Sequence, residues 1–203
     1  MQDREDQDRE DREGSAQGKA RGPAQGEAQG EAPMEADLPA HLLDTLRAAY
    51  RRQRALGERA LAQVEANHWH VCLDERSNSI AIIVRHMAGN MRSRWSDFLT
   101  SDGEKRERDR DAEFAVTDAP PEALMAEWDE GWEVALTALD ALEPEDLSRV
   151  VTIRGEPLSV AQALVRQLEH YGQHVGQLLL LAKHLRGEAW RSLSIPTPRR
   201  RER

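Results

Sequence analysis

The sequence predicts an all-α protein, a four-helix bundle with one long crossover and a disordered N-terminal tail. Four segments repeat apolar residues with the period of an α-helix. Four amphipathic helices with one long crossover fit a four-helix bundle, in which metal sites are built in the core from facing helices. Residues 1–36 contain no Leu, Ile, Val, Phe, Tyr or Trp, so the tail has almost no apolar surface to bury.

The tail begins with a mixed charge run and continues with a glycine at every fourth position from 14 to 30. Each glycine costs a helix roughly 1 kcal/mol relative to alanine, and Pro23 opposes a helix further. We expect residues 1–36 to be a disordered spacer, or else a docking or solubility tail. The folded domain is predicted over 37–195, followed by a basic tail over 196–203.

The first two helices are predicted over 37–66 and 78–99. Asp37 is the expected N-cap of the first helix, and Ser77 or Asn78 that of the second. The second helix carries one apolar stripe, which predicts the face that it buries. This stripe consists of Ile80, Ile83, Val84, Met87, Met91, Trp95 and Phe98.

The second half of the chain contains two longer helical patterns. A charged loop over 100–114 opens with the turn pair Asp102-Gly103 and leads to a third helix over 120–142. Residues 148–159 predict a short extended or hairpin piece with a turn at Arg154-Gly155. The fourth helix is predicted over 159–186, with Gly187 as its stop signal, and the apolar residues Trp190, Leu193 and Ile195 are expected to pack back on the bundle.

Charge and composition exclude several classes of protein. The net charge of −9 at pH 7 argues against a nucleic-acid binder and against a protein that binds anionic membranes. No apolar run approaches the length that crosses a membrane. Cys72 is the single cysteine, so an internal disulfide is excluded and a reducing compartment is favoured. We expect a soluble cytoplasmic protein.

Three histidines are the candidate metal ligands. His170 and His174 stand at i and i+4, so on a helix their rings point the same way. Such a pair is a weak motif alone, and a histidine beside an apolar face is commonly a hydrogen-bonded structural residue. His86 borders the apolar stripe of the second helix and is the chosen third ligand. A competing site is His68, His70 and Cys72, which share one face if their segment is extended.

Four polar residues lie at helical spacing from these histidines. Gln167 and Gln177 each stand three residues from a ligand histidine and are candidates to hydrogen-bond the imidazoles. Asn90 and Arg94 follow His86 at i+4 and i+8, where they could line a pocket and hold an anionic substrate. The alternative is that Arg94 and the charged loop tie helix ends together.

Other catalytic motifs are absent from the sequence. Tyr171 follows the first histidine of the pair, where a zinc protease carries its glutamate base. The chain also lacks a G-x-S-x-G elbow, a glycine-rich phosphate loop and a C-x-x-C pair.

Longer stretches of the chain resemble the DinB/YfiT-like family of metal-binding four-helix bundles. These stretches are NSIAIIVRHMAGNMRSRW with DFLTSDGEK and RDRDAEF, then VTIRGEPLSVAQALVRQLEHYGQHVGQLLLLAKHL, and finally WRSLSIP, within residues 45–195. The resemblance implies a divalent nickel, zinc or iron ion bound by His86, His170 and His174. The first of these stretches is similar to the second-helix signature of an uncharacterised branch of the family. The family contains thiol-dependent transferases or isomerases as well as metal-dependent hydrolases.

Two functions of different classes follow. The first is a metal-dependent transferase or hydrolase that acts on a small molecule, with a low-molecular-weight thiol as a possible co-substrate. The second is a non-catalytic bundle that serves as a metal-binding regulatory module or a dimerisation scaffold. A homodimer or a larger assembly is expected because helices one and three carry apolar residues on more than one face and because bundles of the resembling family often pair. The residues concerned include Leu124, Met125, Trp128 and Trp132.

Overall fold

The computed structural model describes residues 38–194, which form five α-helices and one β-hairpin. The predicted tails, the Asp37 cap and Ile195 lie outside the described residues. The helices are α1 Leu38–Leu61, α2 Ile80–Trp95, α3 Arg110–Phe114, α4 Pro121–Asp140 and α5 Val160–Arg186, and the strands are β1 Val150–Ile153 and β2 Glu156–Ser159.

The four long helices pack around a shared apolar core. Helix α2 lies along α4 and α1 lies along α5, while contacts of α2 with α5 and of α1 with α4 complete the arrangement. Fully buried aromatic side chains from α1, α4 and α5 meet at its centre, where Tyr50 packs edge-on against Tyr171 and Trp132 packs against Tyr171. The pairing of α2 with α5 is what brings the candidate ligands together.

Helix α2 is shorter than predicted and is buried on almost every side. Its N-cap is Ser79, whose hydroxyl accepts a hydrogen bond from the backbone N–H of Ile82, so the expected caps at Ser77 and Asn78 are wrong. It ends at Trp95 because Ser96 is extended and Asp97 has a positive φ of 49°. The predicted stripe is buried throughout, and Ser93 and Arg94 are buried as well.

The charged loop is more ordered than the sequence indicates. It contains the short helix α3, which begins after Asp109, whose carboxylate accepts a hydrogen bond from the backbone N–H of Ala112. Helix α3 packs against α2, where Glu113 lies next to Gly89. The loop residues Arg108 and Glu113 are buried there, with 4% and 9% of their side chains exposed.

The predicted hairpin and the last helix are both present. Strands β1 and β2 pair antiparallel, with Val151 opposite Leu158 and a turn at Arg154-Gly155. Ser159 caps α5 in a reciprocal capping box with Gln162. Gly187, with a φ of 55°, ends α5 as predicted. In the described part of the chain, no helix combines the length and the apolar character that crossing a membrane requires.

Candidate metal centre

Three imidazoles from two helices converge on one point. His86 comes from α2, and His170 and His174 come from successive turns of α5. The Nε2 atom of His170 lies 3.3 Å from Nε2 of His86 and 3.1 Å from Nε2 of His174. His86 is buried, and the other two are half-buried. The arrangement brings together the three histidines that the sequence predicts.

The outer ring nitrogens determine where the protons of two imidazoles lie. Nδ1 of His86 lies 2.9 Å from Oε2 of Glu113, and Nδ1 of His174 lies 2.9 Å from Oε1 of Gln177. Both partners are oxygen acceptors, so each Nδ1 donates its hydrogen. In the neutral rings, Nε2 of His86 and Nε2 of His174 therefore each carry a free lone pair, and both lone pairs point towards His170.

One imidazole hydrogen cannot satisfy this cluster. If Nε2 of His170 is protonated, its hydrogen can bridge to one of the two facing lone pairs, and the other is left unpaired. If the hydrogen is on Nδ1 of His170, three lone pairs converge, and that buried Nδ1 has no protein partner among the described residues. A cation at the centre would bind all three Nε2 lone pairs when the hydrogen of His170 is on Nδ1, so the donor set fits a metal ion.

Two of the three separations between the ligand nitrogens match those around a single shared ion, and all three nitrogens lie within 4.8 Å of one another. Zinc–imidazole bonds are about 2.0–2.1 Å long, and the edge of a tetrahedron with such bonds is roughly 3.3–3.4 Å. The observed separations of 3.3 and 3.1 Å are close to that edge. Three ligands would occupy three corners of the tetrahedron, which leaves a fourth position for water or substrate.

The surroundings of His170 and His174 favour the uncharged form of these two imidazoles. Burial lowers the pKa of His170 to about 3, with further lowering by His174 and His86. Burial also lowers the pKa of His174, and the neighbouring His86 adds to this effect. Neutral imidazoles are the form that binds metals, so His170 and His174 are in the metal-binding form at neutral pH.

A carboxylate that sequence reasoning missed contacts His86. Glu113 of α3 accepts the His86 Nδ1 hydrogen and also receives two hydrogen bonds from Arg108, of 2.7 and 2.8 Å. Burial raises the pKa of Glu113, but hydrogen bonds from His86 and Arg108 outweigh that effect and lower it. Arg108 also pairs with Glu104 at 3.2 Å, so the carboxylate belongs to a buried ionic network.

The four polar candidates separate into different roles. Gln177 contacts His174 as expected. Asn90 accepts a hydrogen bond of 3.2 Å from the hydroxyl of Tyr171, and Gln167 is buried with its Oε1 unpartnered in the described chain. Arg94 donates to the Gly103 carbonyl and pairs with Glu104 at 2.8 Å, so it ties α2 to the loop. The expectation that Arg94 holds an anionic substrate is therefore replaced by the structural alternative.

The competing site near residue 70 does not assemble. It required an extended segment, but residues 66–68 form a 3₁₀ turn and His70 lies in a further turn. Cys72 is exposed, and the three residues are not among the clustered metal-ligand atoms of residues 38–194.

Two cavities lie near the imidazole cluster without being lined by it. A cavity of about 410 Å³ is bordered by Gly89, Arg108 and Glu113, on the outer side of the carboxylate that holds His86. A second cavity, of about 230 Å³, is bordered by Gln177 and by apolar residues of α2 and α5. Both touch residues that hydrogen-bond the ligand histidines, so they flank the candidate centre.

Comparison with known proteins gives one family. A family model described as "Protein of unknown function (DUF1572)" matches residues 37–199, which is most of the chain and includes all three histidines. No curated protein matches the chain.

Proposed function

The chain belongs to the DUF1572 family, and we propose that it is a divalent-metal protein with His86, His170 and His174 as ligands. We further propose that its four long helices form a DinB/YfiT-like four-helix bundle. The reaction that this site supports best is transfer or hydrolysis on a small molecule, with a low-molecular-weight thiol as a candidate co-substrate. Nickel, zinc and iron are the candidate ions.

The convergence of lone pairs carries this proposal. Two hydrogen-bonded Nδ1 atoms fix two Nε2 lone pairs that face a third imidazole nitrogen at 3.1–3.3 Å. A purely structural histidine cluster would pair each nitrogen with a donor or an acceptor, and this one does not. The three imidazoles add no negative charge, so a bound divalent ion would keep its full charge.

The residues around the ligands would support catalysis by orientation. When bound, a divalent ion supplies a Lewis acid that lowers the pKa of water from 15.7 to about 7 or deprotonates a thiol. Glu113 and Gln177 hold two of the rings in the orientation that directs Nε2 inward. Half-exposed His170 and His174 leave a solvent-facing side by which a small molecule could approach.

The alternative is a metal-binding scaffold or regulatory module without turnover. One observation favours it: in the described part of the chain, the cavities of about 410 and 230 Å³ are not lined by the ligand histidines themselves. An enzyme needs a cleft that opens on the metal's free position. A screen of small electrophiles, with and without added thiol, separates the two, because the scaffold gives no turnover with a fully loaded protein.

The metal site itself is tested by single substitutions. We expect His86→Ala, His170→Ala and His174→Ala each to reduce bound divalent metal sharply, because two imidazoles bind a metal far more weakly than three. His68→Ala and His184→Ala are matched controls and should keep the wild-type metal-to-protein ratio after dialysis against trace metal and elemental analysis. Equal ratios in all five variants would contradict the assignment, and so would a loss in His68→Ala alone.

A further inference from the structure

Glu113 reaches His86 from a separate element of the fold. It lies at the end of α3, 27 residues after His86, and its Oε2 is 2.9 Å from Nδ1 of that ring. We propose that Glu113 is a positioning residue of the metal centre, which holds the His86 ring so that Nδ1 keeps the hydrogen and Nε2 faces His170. This inference rests on the proposed metal function. It identifies a residue outside the ligand set that orients one of the ligands before a metal binds.

The carboxylate can act only as an acceptor here. Arg108 donates from Nε to Oε1 at 2.7 Å and from Nη2 to Oε2 at 2.8 Å, a bidentate pair that favours the ionised carboxylate. An ionised carboxylate has no hydrogen to donate, so His86 must donate from Nδ1. The tautomer of a candidate ligand is therefore set by Glu113, which lies in α3 within the stretch that the sequence predicted to be a charged loop.

Helix α2 leaves room for this carboxylate at one position. Gly89 follows His86 by three residues, on the same face of α2, and a Cβ atom there would lie 2.3 Å from Oε1 and 2.7 Å from Cδ of Glu113. Any larger residue at this position would push the carboxylate away from His86. The glycine lowers the helix propensity of α2, and the close approach of Glu113 gives a reason for it.

The neighbouring residue restricts the same ring from another side. Phe114 follows Glu113 in α3, and its ring centroid lies 4.6 Å from that of His86. Asp109 caps α3 and so fixes the element that carries both residues. Helix α3 thus contributes one polar and one apolar contact to the His86 ring. These two contacts restrict its orientation more than a single ion pair at the surface would.

The first test measures the tautomer without any metal. In metal-free, ¹⁵N-labelled protein, long-range ¹H–¹⁵N spectra should show the hydrogen of His86 on Nδ1. Glu113→Ala should change this to a mixture or to the Nε2 form, and Glu113→Gln, which keeps an acceptor oxygen, should restore part of it. A wild-type His86 with its hydrogen on Nε2 would overturn the inference.

The second test measures Zn²⁺ affinity by calorimetry. Loss of a residue that orients a ligand histidine commonly costs about 10–100-fold in metal affinity, and we expect a loss in this range for Glu113→Ala and a smaller one for Glu113→Gln. Glu107→Ala removes an exposed acid of the same loop and should bind Zn²⁺ as the wild type does.

A third variant keeps every charge in place. Gly89→Ala should displace the Glu113 carboxylate and lower Zn²⁺ affinity, while the helix content measured by circular dichroism is unchanged. This variant tests the role of Glu113 even if Glu113→Ala fails to fold. Gly176→Ala in α5 is its control, because a Cβ there meets no atom within 4 Å. Wild-type affinity in both Glu113→Gln and Gly89→Ala would overturn the inference, whereas a wild-type protein that binds no Zn²⁺ would instead contradict the proposed function.

Discussion

The hydroxyl of Tyr171 lies between two buried polar groups of α2. It accepts a hydrogen bond of 2.9 Å from Nε1 of Trp95 and donates one of 3.2 Å to Oδ1 of Asn90. Burial raises the pKa of Tyr171 far above its usual value, so the hydroxyl keeps its hydrogen. Asn90 is therefore occupied by the core, and the expectation that it lines a substrate pocket gives way to a structural role next to His170.

Tyr171→Phe should destabilise the protein by roughly 1–3 kcal/mol, because it leaves a buried donor on Trp95 and a buried acceptor on Asn90 unsatisfied. Tyr50→Phe is the matched control. The hydroxyl of Tyr50 is also buried, but it donates only to the Leu164 carbonyl, which lies inside α5 and keeps its helical hydrogen bond. Urea unfolding of the two variants should give the larger loss for Tyr171→Phe, and equal losses would contradict this account.

Some of the site was predictable from single residues, and some was not. His170 and His174 are brought together by helix geometry, and His86 borders a stripe that must face the core, so periodicity indicated these three histidines as candidate ligands. Glu113 stands in a run of charged residues whose composition gives no sign of which acid is buried. The available signals were Phe114, the last and only apolar aromatic residue of that run, and Gly89 at i+3 from His86.

At the scale of elements, Asp102 joins the charged loop to the hairpin. Its Oδ1 accepts hydrogen bonds from the backbone N–H groups of Glu104 at 2.7 Å and Arg154 at 2.9 Å. Its Oδ2 accepts one from the backbone N–H of Gly155 at 2.8 Å. Arg154 also pairs with Glu104, the partner of Arg108. The sequence predicted a turn at both positions, but it could not show that the two turns bind each other, because they are 52 residues apart.

Asp102→Asn should make the protein less sensitive to acid. The backbone N–H of Glu104, with those of Gly155 and Arg154, holds the pKa of Asp102 well below its ordinary value of 3.8 despite the opposing effect of burial. The unfolded chain therefore takes up this proton first, so the stabilisation is present above about pH 4 and is lost as the pH falls further.

Urea midpoints measured at about pH 7 and about pH 3 check this expectation. The wild type should lose more stability between the two pH values than Asp102→Asn, which should already be less stable at neutral pH. Asp111→Asn, an exposed acid of α3, is the control and should follow the wild type. An acid response of Asp102→Asn identical to that of the wild type would contradict the role given to this carboxylate.

At the scale of the whole molecule, the apolar residues of α4 that predicted a dimer from the sequence do not form an exposed surface. Leu124, Trp128 and Trp132 are fully buried within the chain, and Met125 is half-buried. Their apolar faces are covered because α4 packs against both α2 and α1, a crowding that periodicity within one helix cannot reveal. The homodimer therefore rests on the family resemblance, and it stays a prediction.

Light scattering at high micromolar concentration measures the assembly directly. We expect a mass of twice the 23.0 kDa of the chain. The exposed Leu180→Ser variant tests whether α5 takes part, since 63% of the Leu180 surface is accessible in the single chain. A monomer mass for the wild type would end the dimer prediction.

The span between His86 and His170 has a thermodynamic consequence. An ion held by both would close a loop of 84 residues in a chain whose single cysteine cannot form an internal disulfide. Such an ion binds the folded chain in preference to the unfolded one, so mass action links unfolding to the supply of free metal. Above the Kd, each tenfold rise in free metal would add about 1.4 kcal/mol to the free energy of unfolding. The melting temperature of this protein would then depend on the free metal concentration of its surroundings. A chelator would lower the melting temperature without changing any side chain of the apolar core.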